Sequence, residues 1–361
     1  MLVVLAIVFV LYLLFVIVLY AGFTRAVKPV IPDAGERFIT VIVPARNEEQ
    51  HIRHVLHDLA RQQYNNFEII VVDDHSDDGT AAEVALARSP KIKCIKNEGS
   101  GKKHAITSAV SVSRGSVIAT TDADCSVPLG WLASINRSFA DGRPQMVIGA
   151  VAMEGAETTF SHMQQLEFAA LIGSAAACCA NGFPVMCNGA NLAFTREAFV
   201  SVGGFNGNFH IASGDDEFLM RKIAERNRQE IRFMADPQSV IRTKPASSWA
   251  AFFQQRLRWA GKWKSNGSWT ARLLAVFILI VQLATIVSLY RLVFFQEIFQ
   301  AAFLVSRLAA DALLVSRFCK FLRIQFHRLA FVLLFAVYPF YVVYTGIIAQ
   351  FTTYEWKGRR Y

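Results

Sequence analysis

The sequence is poor in charged residues and rich in hydrophobic ones. Only 18% of its 361 residues are Asp, Glu, Lys or Arg, whereas 53% are hydrophobic. Soluble globular domains carry about 25% charged residues, so this composition excludes an ordinary soluble protein. We therefore expect part of the chain to lie in a membrane.

Paired cysteine motifs and glycine-rich phosphate loops are also missing. The six cysteines show neither a C-x-x-C pair nor the Cys/His spacing of a zinc site, so we interpret them as free thiols in a reducing compartment. Neither the G-x-G-x-x-G pattern nor the P-loop pattern occurs. Any bound phosphate is then expected to be held chiefly by a metal ion and a cationic side chain.

The net charge of +9 is concentrated beside the apolar segments. Arg25 and Lys28 follow the first apolar run, and further cations cluster at 256–264 and 317–328. Cations in this position favour an anionic lipid surface as the partner, and not nucleic acid.

Four apolar segments are long enough to cross a hydrocarbon core of roughly 30 Å. Residues 1–23 predict an uncleaved anchor followed by a linker over 24–37, with a cleaved signal peptide as the alternative. Residues 273–290, 298–316 and 329–351 predict three more spans within 272–351. Arg307 and Asp311 in the weakest of these are four residues apart, which predicts an ion pair on one helix face.

The positive-inside tendency of Arg25 and Lys28 predicts the membrane topology. It places the chain after Lys28 in the cytoplasm and predicts a multi-pass protein of the inner (plasma) membrane. The basic and aromatic tail at 352–361 conflicts with this topology, because three C-terminal spans would leave it outside.

Strands and helices alternate from residue 38 onwards. Hydrophobic runs at 38–43, 67–72, 91–96 and 117–121 predict strands, the first of them stopped by Pro44. Helical periodicity at 48–62, 81–88 and 102–113 fills the gaps. This alternation predicts an α/β, Rossmann-like nucleotide-binding domain over 38–240, with a mostly parallel sheet.

Acidic residues follow two of the predicted strands. Asp122 and Asp124 would repel each other unless a divalent cation joins them, and their oxygens suit Mg²⁺ or Mn²⁺; a solvated turn is the alternative. Asp74, supported by Asp73, is our candidate for a ribose hydroxyl or a base N–H. Lys102, at a predicted helix start, is the candidate for phosphate, with an ordinary exposed lysine as the alternative.

Five motifs occur in a characteristic order. They are Val-Ile-Val-Pro-Ala-Arg-Asn-Glu-Glu at 41–49, Val-Val-Asp-Asp-His-Ser-Asp-Asp-Gly-Thr at 71–80, Thr-Asp-Ala-Asp at 121–124, Gly-Asp-Asp-Glu at 214–217 and Gln-Arg-Leu-Arg-Trp at 255–259. Over roughly residues 38–263 the chain thereby resembles the family 2 glycosyltransferases. The resemblance implies a GT-A fold, a nucleotide-sugar donor such as a UDP-sugar, and inversion at the anomeric carbon.

The resemblance also implies roles for individual residues. The nucleoside would be contacted by Pro44, Arg46, Glu48 and Asp74, the donor by Asp122, and the metal by Asp124 together with Asp122. Asp216 takes the position of the catalytic base, and Asp215 stands where the family usually has Glu. An ordinary acid at a helix N-terminus is the alternative for Asp216.

Two further groups of residues complete the predicted site. In the amphipathic, interfacial segment 241–271, the Q-x-x-R-W residues Gln255, Arg258 and Trp259 would close over the diphosphate and line the acceptor site; an interfacial anchor is the alternative. Asn188 and Asn191 would lie on the acceptor side.

Three functions fit these features. The first is a metal-dependent inverting transferase that moves one sugar to a membrane lipid or lipid-linked acceptor. The second is a processive polysaccharide synthase, which generally needs more than about four spans for its channel. The third is a non-catalytic nucleotide-sugar sensor, which would have no need for a base such as Asp216.

Overall fold

The computed structural model describes residues 2–28, 35–155, 157–209, 211, 214–261, 268–349 and 351, and the backbone of 355–356 and 359–360. The chain divides into two compact units. The helical unit comprises Met1–Phe23, Met153–Ala177 and Pro245–Tyr361, and the sheet unit comprises Thr24–Ala152 and Cys178–Lys244. Residues Met153–Ala177, within the segment predicted as one catalytic domain, thus cluster with the helical unit.

The strands and helices, in chain order, have the following bounds. The strands are β1 (Ile39–Ala45), β2 (Phe67–Asp73), β3 (Ile92–Lys96), β4 (Val117–Thr120), β5 (Met146–Ile148), β6 (Val151–Met153), β7 (Leu192–Thr195), β8 (Ile231–Phe233), β9 (Ile241–Thr243), β10 (Glu355–Trp356) and β11 (Arg359–Arg360). The helices are α1 (Leu2–Ala26), α2 (Ile52–Ala60), α3 (Thr80–Leu86), α4 (Lys102–Val112), α5 (Trp131–Ser138), α6 (Thr159–Ala180), α7 (Arg196–Ser201), α8 (Asp215–Arg226), α9 (Trp249–Gly261), α10 (Trp269–Phe295), α11 (Phe299–Leu322) and α12 (Arg328–Ile348).

The sheet unit is built on seven strands in the order β3-β2-β1-β4-β7-β5-β8. The pairs β3-β2, β2-β1, β1-β4 and β5-β8 are parallel, and β7 runs antiparallel to both β4 and β5. Every residue of β4 is buried, and so is all of β1 except Pro44. Burial of consecutive side chains means that both faces are covered, as in the predicted α/β arrangement.

Pro44 does not end the first strand, so this detail of the prediction was wrong. Strand β1 continues to Ala45, and its last three residues pair only with β2, because pairing with β4 stops at Ile42. On the β4 side, β1 has no paired strand at Pro44, so the N–H that proline lacks would have no backbone partner in the sheet. Asp74 N then donates to Ala45 O at 2.8 Å and closes this edge of the sheet.

Two short strands, β5 and β6, lie close together in sequence but belong to different sheets. Strand β5 belongs to the seven-stranded sheet, whereas β6 pairs with β9 in a separate two-stranded sheet. Gly149 lies between them, and a Cβ built there would be 2.1 Å from the side chain of Asn191. The two strands are therefore separated at the glycine against which the buried side chain of Asn191 packs.

Within the helical unit, α1, α10, α11 and α12 are each long and apolar enough to cross a membrane. The predicted pair forms inside this unit: Arg307 Nε lies 3.5 Å from Asp311 Oδ2. Arg307 also donates to Gln282 on α10, and Tyr12 on α1 donates to Asp311. These charges thus find partners among the spans, as charged groups in a membrane require.

Candidate active site

The predicted donor-side residues lie at one edge of the sheet unit. Strands β2, β1 and β4 are parallel neighbours, so their carboxyl ends share the edge where open α/β sheets bind ligands. Asp73 is the last residue of β2, and Asp74 follows it. Arg46 and Glu48 follow β1, and the predicted metal-binding aspartates follow β4.

Lys102 joins two acidic segments that are far apart in sequence. Its Nζ lies 2.6 Å from Asp122 Oδ1 and 3.7 Å from Asp215 Oδ2. Burial alone would lower the pKa of Lys102, but Asp122, Asp215 and Asp216 together hold it well above its ordinary value. Lys102 therefore stays protonated and can bind an anionic group at this edge of the sheet.

Asp215 and Asp216 begin helix α8. Gly214 precedes them with φ +78°, a left-handed conformation that favours glycine, and it turns the chain into the helix. Asp216 Oδ2 accepts from Gly189 N at 3.0 Å, and Oδ1 accepts from Glu217 N at 2.8 Å. These two bonds fix the orientation of the Asp216 carboxylate at the start of the helix.

Gly189 is a site residue that the sequence analysis missed. A Cβ at this position would be 2.9 Å from Lys102 Nζ and 3.2 Å from Asp215 Oδ2. Its carbonyl accepts from Thr120 Oγ1 at 2.7 Å, which ties the loop to the end of β4. The Asn-Gly-Ala-Asn run at 188–191, rich in turn residues, is the signal that could have identified it.

Asp74 lies at the predicted edge, where it holds the loop that leads to Lys102. Its carboxylate is buried and accepts from Gly101 N at 2.9 and 3.0 Å and from Asn97 Nδ2 at 2.7 Å. Arg46 donates to Asp74 O at 3.3 Å. Asp74 thereby positions Gly101 and Lys102, a support role that the sequence analysis did not foresee.

The other predicted donor-side residues also have partners within the fold. Asp73 Oδ1 accepts from Ser76 N at 3.1 Å and shapes the turn after β2. Glu48 is buried, with Oε2 3.0 Å from His51 Nδ1. Pro44 lies opposite Val72 in β2.

Asp122 and Asp124 form a donor set that fits a divalent cation. One oxygen of each, together with the Cys125 sulfur, lies within 4.8 Å of the others. Burial and the two aspartates raise the pKa of the Cys125 thiol well above its ordinary value, which leaves the carboxylates as the better ligands. The oxygen pair suits Mg²⁺ or Mn²⁺.

The side chain of Asn191 is engaged within the fold. It is only 1% exposed, donates to Ala150 O and Ser239 O, and accepts from Trp131 Nε1. Asn191 therefore joins β7 to its surroundings, and its place on the acceptor side stays a prediction. Asn188 accepts from Ala190 N at 3.0 Å, in the same loop as Gly189.

Gln255, Arg258 and Trp259 lie on α9, in the helical unit, and all three are half-buried. The Trp259 ring stacks on Phe168 of α6 with centroids 5.9 Å apart. Lys262, Lys264 and most of the basic, aromatic tail fall outside the described residues.

Comparisons with known proteins find similarity to glycosyltransferases. Residues 40–203 match the family model described as glycosyl transferase family 2. The chain is 27% identical over 234 residues to the probable glycosyltransferase YdaM of Bacillus subtilis, covering 62% of this chain and 54% of that protein. It is 35% identical over 99 residues to the undecaprenyl-phosphate 4-deoxy-4-formamido-L-arabinose transferase of Pseudomonas fluorescens, covering 26% and 29% of the two chains.

One solved structure is similar over nearly the whole chain. It is the mannosyltransferase PcManGT from Pyrobaculum calidifontis in complex with GDP-Man and Mn²⁺, with a TM-score of 0.62 and 22% identity over 97% of this chain and 99% of that one. At this identity the likeness shows the fold. The predicted GT-A domain with about four membrane helices is thereby confirmed, whereas the curated relatives are matched over only a third to a half of their length.

Proposed function

We propose that the protein transfers one sugar from a nucleotide-sugar to a membrane lipid acceptor with inversion, because residues 40–203 match the glycosyl transferase family 2 model. The observation that carries the proposal is the gathering of Lys102, Asp122, Asp215 and Asp216 at the carboxyl edge of the sheet. A cation beside several carboxylates supplies what this transfer needs, namely diphosphate binding and a base.

In the proposed reaction, Asp216 removes the proton from the acceptor hydroxyl. The hydroxyl oxygen forms a bond to the anomeric carbon on one face while the bond to the diphosphate oxygen breaks on the other. Lys102 neutralises the departing diphosphate, and Asp74 holds the loop that positions Lys102. A divalent cation bound by Asp124 and Asp122 would add charge neutralisation at the leaving group.

The lipid acceptor follows from the four helices that can span a membrane and from the undecaprenyl-phosphate named in one relative. Gln255, Arg258 and Trp259 are proposed to close over the diphosphate and line the acceptor site, and Asn188 to contact the acceptor. The donor nucleotide is proposed to be UDP, with GDP as the alternative because the similar mannosyltransferase is bound to GDP-Man.

The experiment incubates detergent-solubilised protein with labelled UDP- and GDP-sugars and a total lipid extract, with and without Mn²⁺ or Mg²⁺. A single-sugar glycolipid formed with a divalent cation is expected. A long polymer would favour a processive synthase, and the absence of cation-dependent turnover with every donor would contradict transfer altogether.

The assignment of Asp216 is tested by Asp216→Asn. We expect transfer to fall by about 10²- to 10⁴-fold, because a positioned base contributes that much, while nucleotide binding by calorimetry stays unchanged. Glu225→Gln is the matched control, since Glu225 lies on the same helix and its side chain is 69% exposed. An active Asn variant would remove Asp216 from the role.

A further inference from the structure

A buried ion pair joins helix α9, which carries the Q-x-x-R-W motif, to helix α6, and it serves no step of the proposed reaction. Arg256 is 4% exposed and Glu167, on α6, is 5% exposed. Arg256 Nη2 donates to Glu167 Oε2 at 2.6 Å, and Nε lies 3.2 and 3.3 Å from the two carboxylate oxygens. Both oxygens of Glu167 are therefore engaged by one guanidinium.

A third helix joins the pair. Tyr341 on α12 donates its hydroxyl to Glu167 Oε1 at 2.9 Å. Glu167 thereby connects α6, α9 and α12 within the helical unit. Burial would lower the pKa of Arg256, but Glu167 holds it above its ordinary value, so the guanidinium stays charged.

Arg256 also contacts two of the residues that the proposed function uses. Its guanidinium lies 4.4 Å from the centroid of the Trp259 ring and 4.3 Å from that of Phe252, so the group is held between two aromatic faces. It donates to the side-chain oxygen of Gln255. The buried arginine is thus in direct contact with both the glutamine and the tryptophan of the motif.

The start of α9 is fixed by the same face of α6. Gln164, three residues before Glu167, donates to Ala246 O at 3.0 Å and accepts from Ala246 N at 2.9 Å. Residues three apart on a helix are neighbours on one face. Helix α6 therefore holds this part of the chain at two points, one just before α9 and one within the motif on α9.

From these contacts we propose that Glu167, Arg256 and Tyr341 are positioning residues that set the orientation of Gln255, Arg258 and Trp259 for sugar transfer. The proposal rests on the proposed function. A buried ion pair contributes little net stability compared with apolar packing, so its fixed geometry is the better account of its presence. Arginine suits this task because its rigid fork engages a carboxylate, a side-chain oxygen and an aromatic face together.

The test is Arg256→Lys, which keeps the charge and much of the apolar stem but removes the fork. We expect kcat to fall roughly 10- to 100-fold, since a small misplacement of reacting groups costs that much, while the KM for the nucleotide-sugar changes less than about twofold. Tyr341→Phe, which removes one hydrogen bond, is expected to lower kcat less. Arg53→Lys is the control, because Arg53 pairs with Glu83 and its side chain is 69% exposed.

Hydrogen exchange of residues 245–261 gives a second readout that needs no turnover. Faster exchange there in Arg256→Lys, at an unchanged Tm, is expected if the contacts hold α9 in place. Full kcat together with unchanged exchange in folded Arg256→Lys would overturn the proposal, as would a kcat loss that only follows a fall in Tm. A wild-type protein that transfers no sugar, but whose α9 loosens in the variant, would contradict the proposed function alone.

Discussion

The sheet unit and the helical unit each contain a group of paired charges, and the two groups differ. At the edge of the sheet unit, Asp122 and Asp215 share one lysine and are partly exposed to solvent. In the helical unit, Glu167 and Arg256 pair one to one and are almost completely buried. The first arrangement has excess negative charge that a metal ion can balance. The second has no excess charge, because one guanidinium balances one carboxylate. The remaining hydrogen bond to the carboxylate comes from Tyr341. Charged side chains that are accessible and not fully neutralised by their neighbours can bind a ligand. Charged side chains that are buried and neutralised by each other can instead fix the positions of the helices that carry them.

The largest difference between the two groups of charges is expected from Arg256→Met, which leaves Glu167 buried without its cation. We expect this change to lower the free energy of unfolding by about 3–5 kcal/mol, measured by thermal or denaturant unfolding in detergent. The double change Glu167→Leu with Arg256→Met should recover much of the loss, because no unpaired charge then remains.

The exposed pair of Arg53 and Glu83 in the sheet unit supplies the matched control. Arg53→Met is expected to cost about 1 kcal/mol or less, as is typical of surface ion pairs. Equal losses for the Arg53 and Arg256 variants would break the distinction between the two kinds of charge.

Asn191→Leu tests whether a polar residue beside the site supports the fold or the acceptor. The change keeps the approximate volume but leaves Trp131 Nε1, Ala150 O and Ser239 O without their partner. We expect a loss of about 2–3 kcal/mol in stability and no change in the KM for the lipid acceptor at a temperature where the variant is folded. A raised acceptor KM at unchanged stability would place Asn191 on the acceptor side; Asn188→Ala is the comparison within the same loop.

A modest effect that depends on pH is expected from Glu68→Gln, at a partly screened pair in the sheet unit. Burial alone would raise the pKa of Glu68, but hydrogen bonds from Arg114 and Thr40 hold it below the ordinary value of 4.5. Because the folded pKa is depressed, the stabilisation is present above about pH 4.5 and is lost as the pH falls through the folded pKa. Glu68→Gln should therefore cost about 1–2 kcal/mol at pH 7, and the difference from wild type should shrink in unfolding curves recorded at pH 4 and 3. A difference that stays constant between pH 7 and pH 3 would show that charge on Glu68 is not its source.

Local patterns predicted much of the sheet unit. Strands β1, β2 and β4 are runs of apolar, mostly β-branched residues, and acids and turn residues mark their ends, so both the elements and the edge that gathers Asp74 and Asp122 were accessible from sequence. The four spans were equally clear from length and apolarity.

Contacts between residues that are distant in sequence could not be predicted from local patterns. Asn191 meets Trp131 across 60 residues, and Glu167 meets Arg256 across 89, so nothing near either residue in sequence indicates the partner. Gly189 looked like part of an ordinary loop because its closeness to Lys102 depends on the antiparallel course of β7. The prediction for Pro44 was wrong because β1 continues to pair with β2 as far as Ala45, beyond the residue at which its pairing with β4 ends.

The interrupted course of the sheet unit has a consequence for biosynthesis. Strand β8 and strand β9 are needed to complete the two sheets of this unit, and both lie after the segment Met153–Ala177 that clusters with the helical unit. The chain must therefore emerge from the ribosome as far as Thr243 before the unit can close, at a stage when α1 has emerged but most of α10, α11 and α12 has not. Until then the sheet is incomplete, and incompletely paired strands are prone to aggregate.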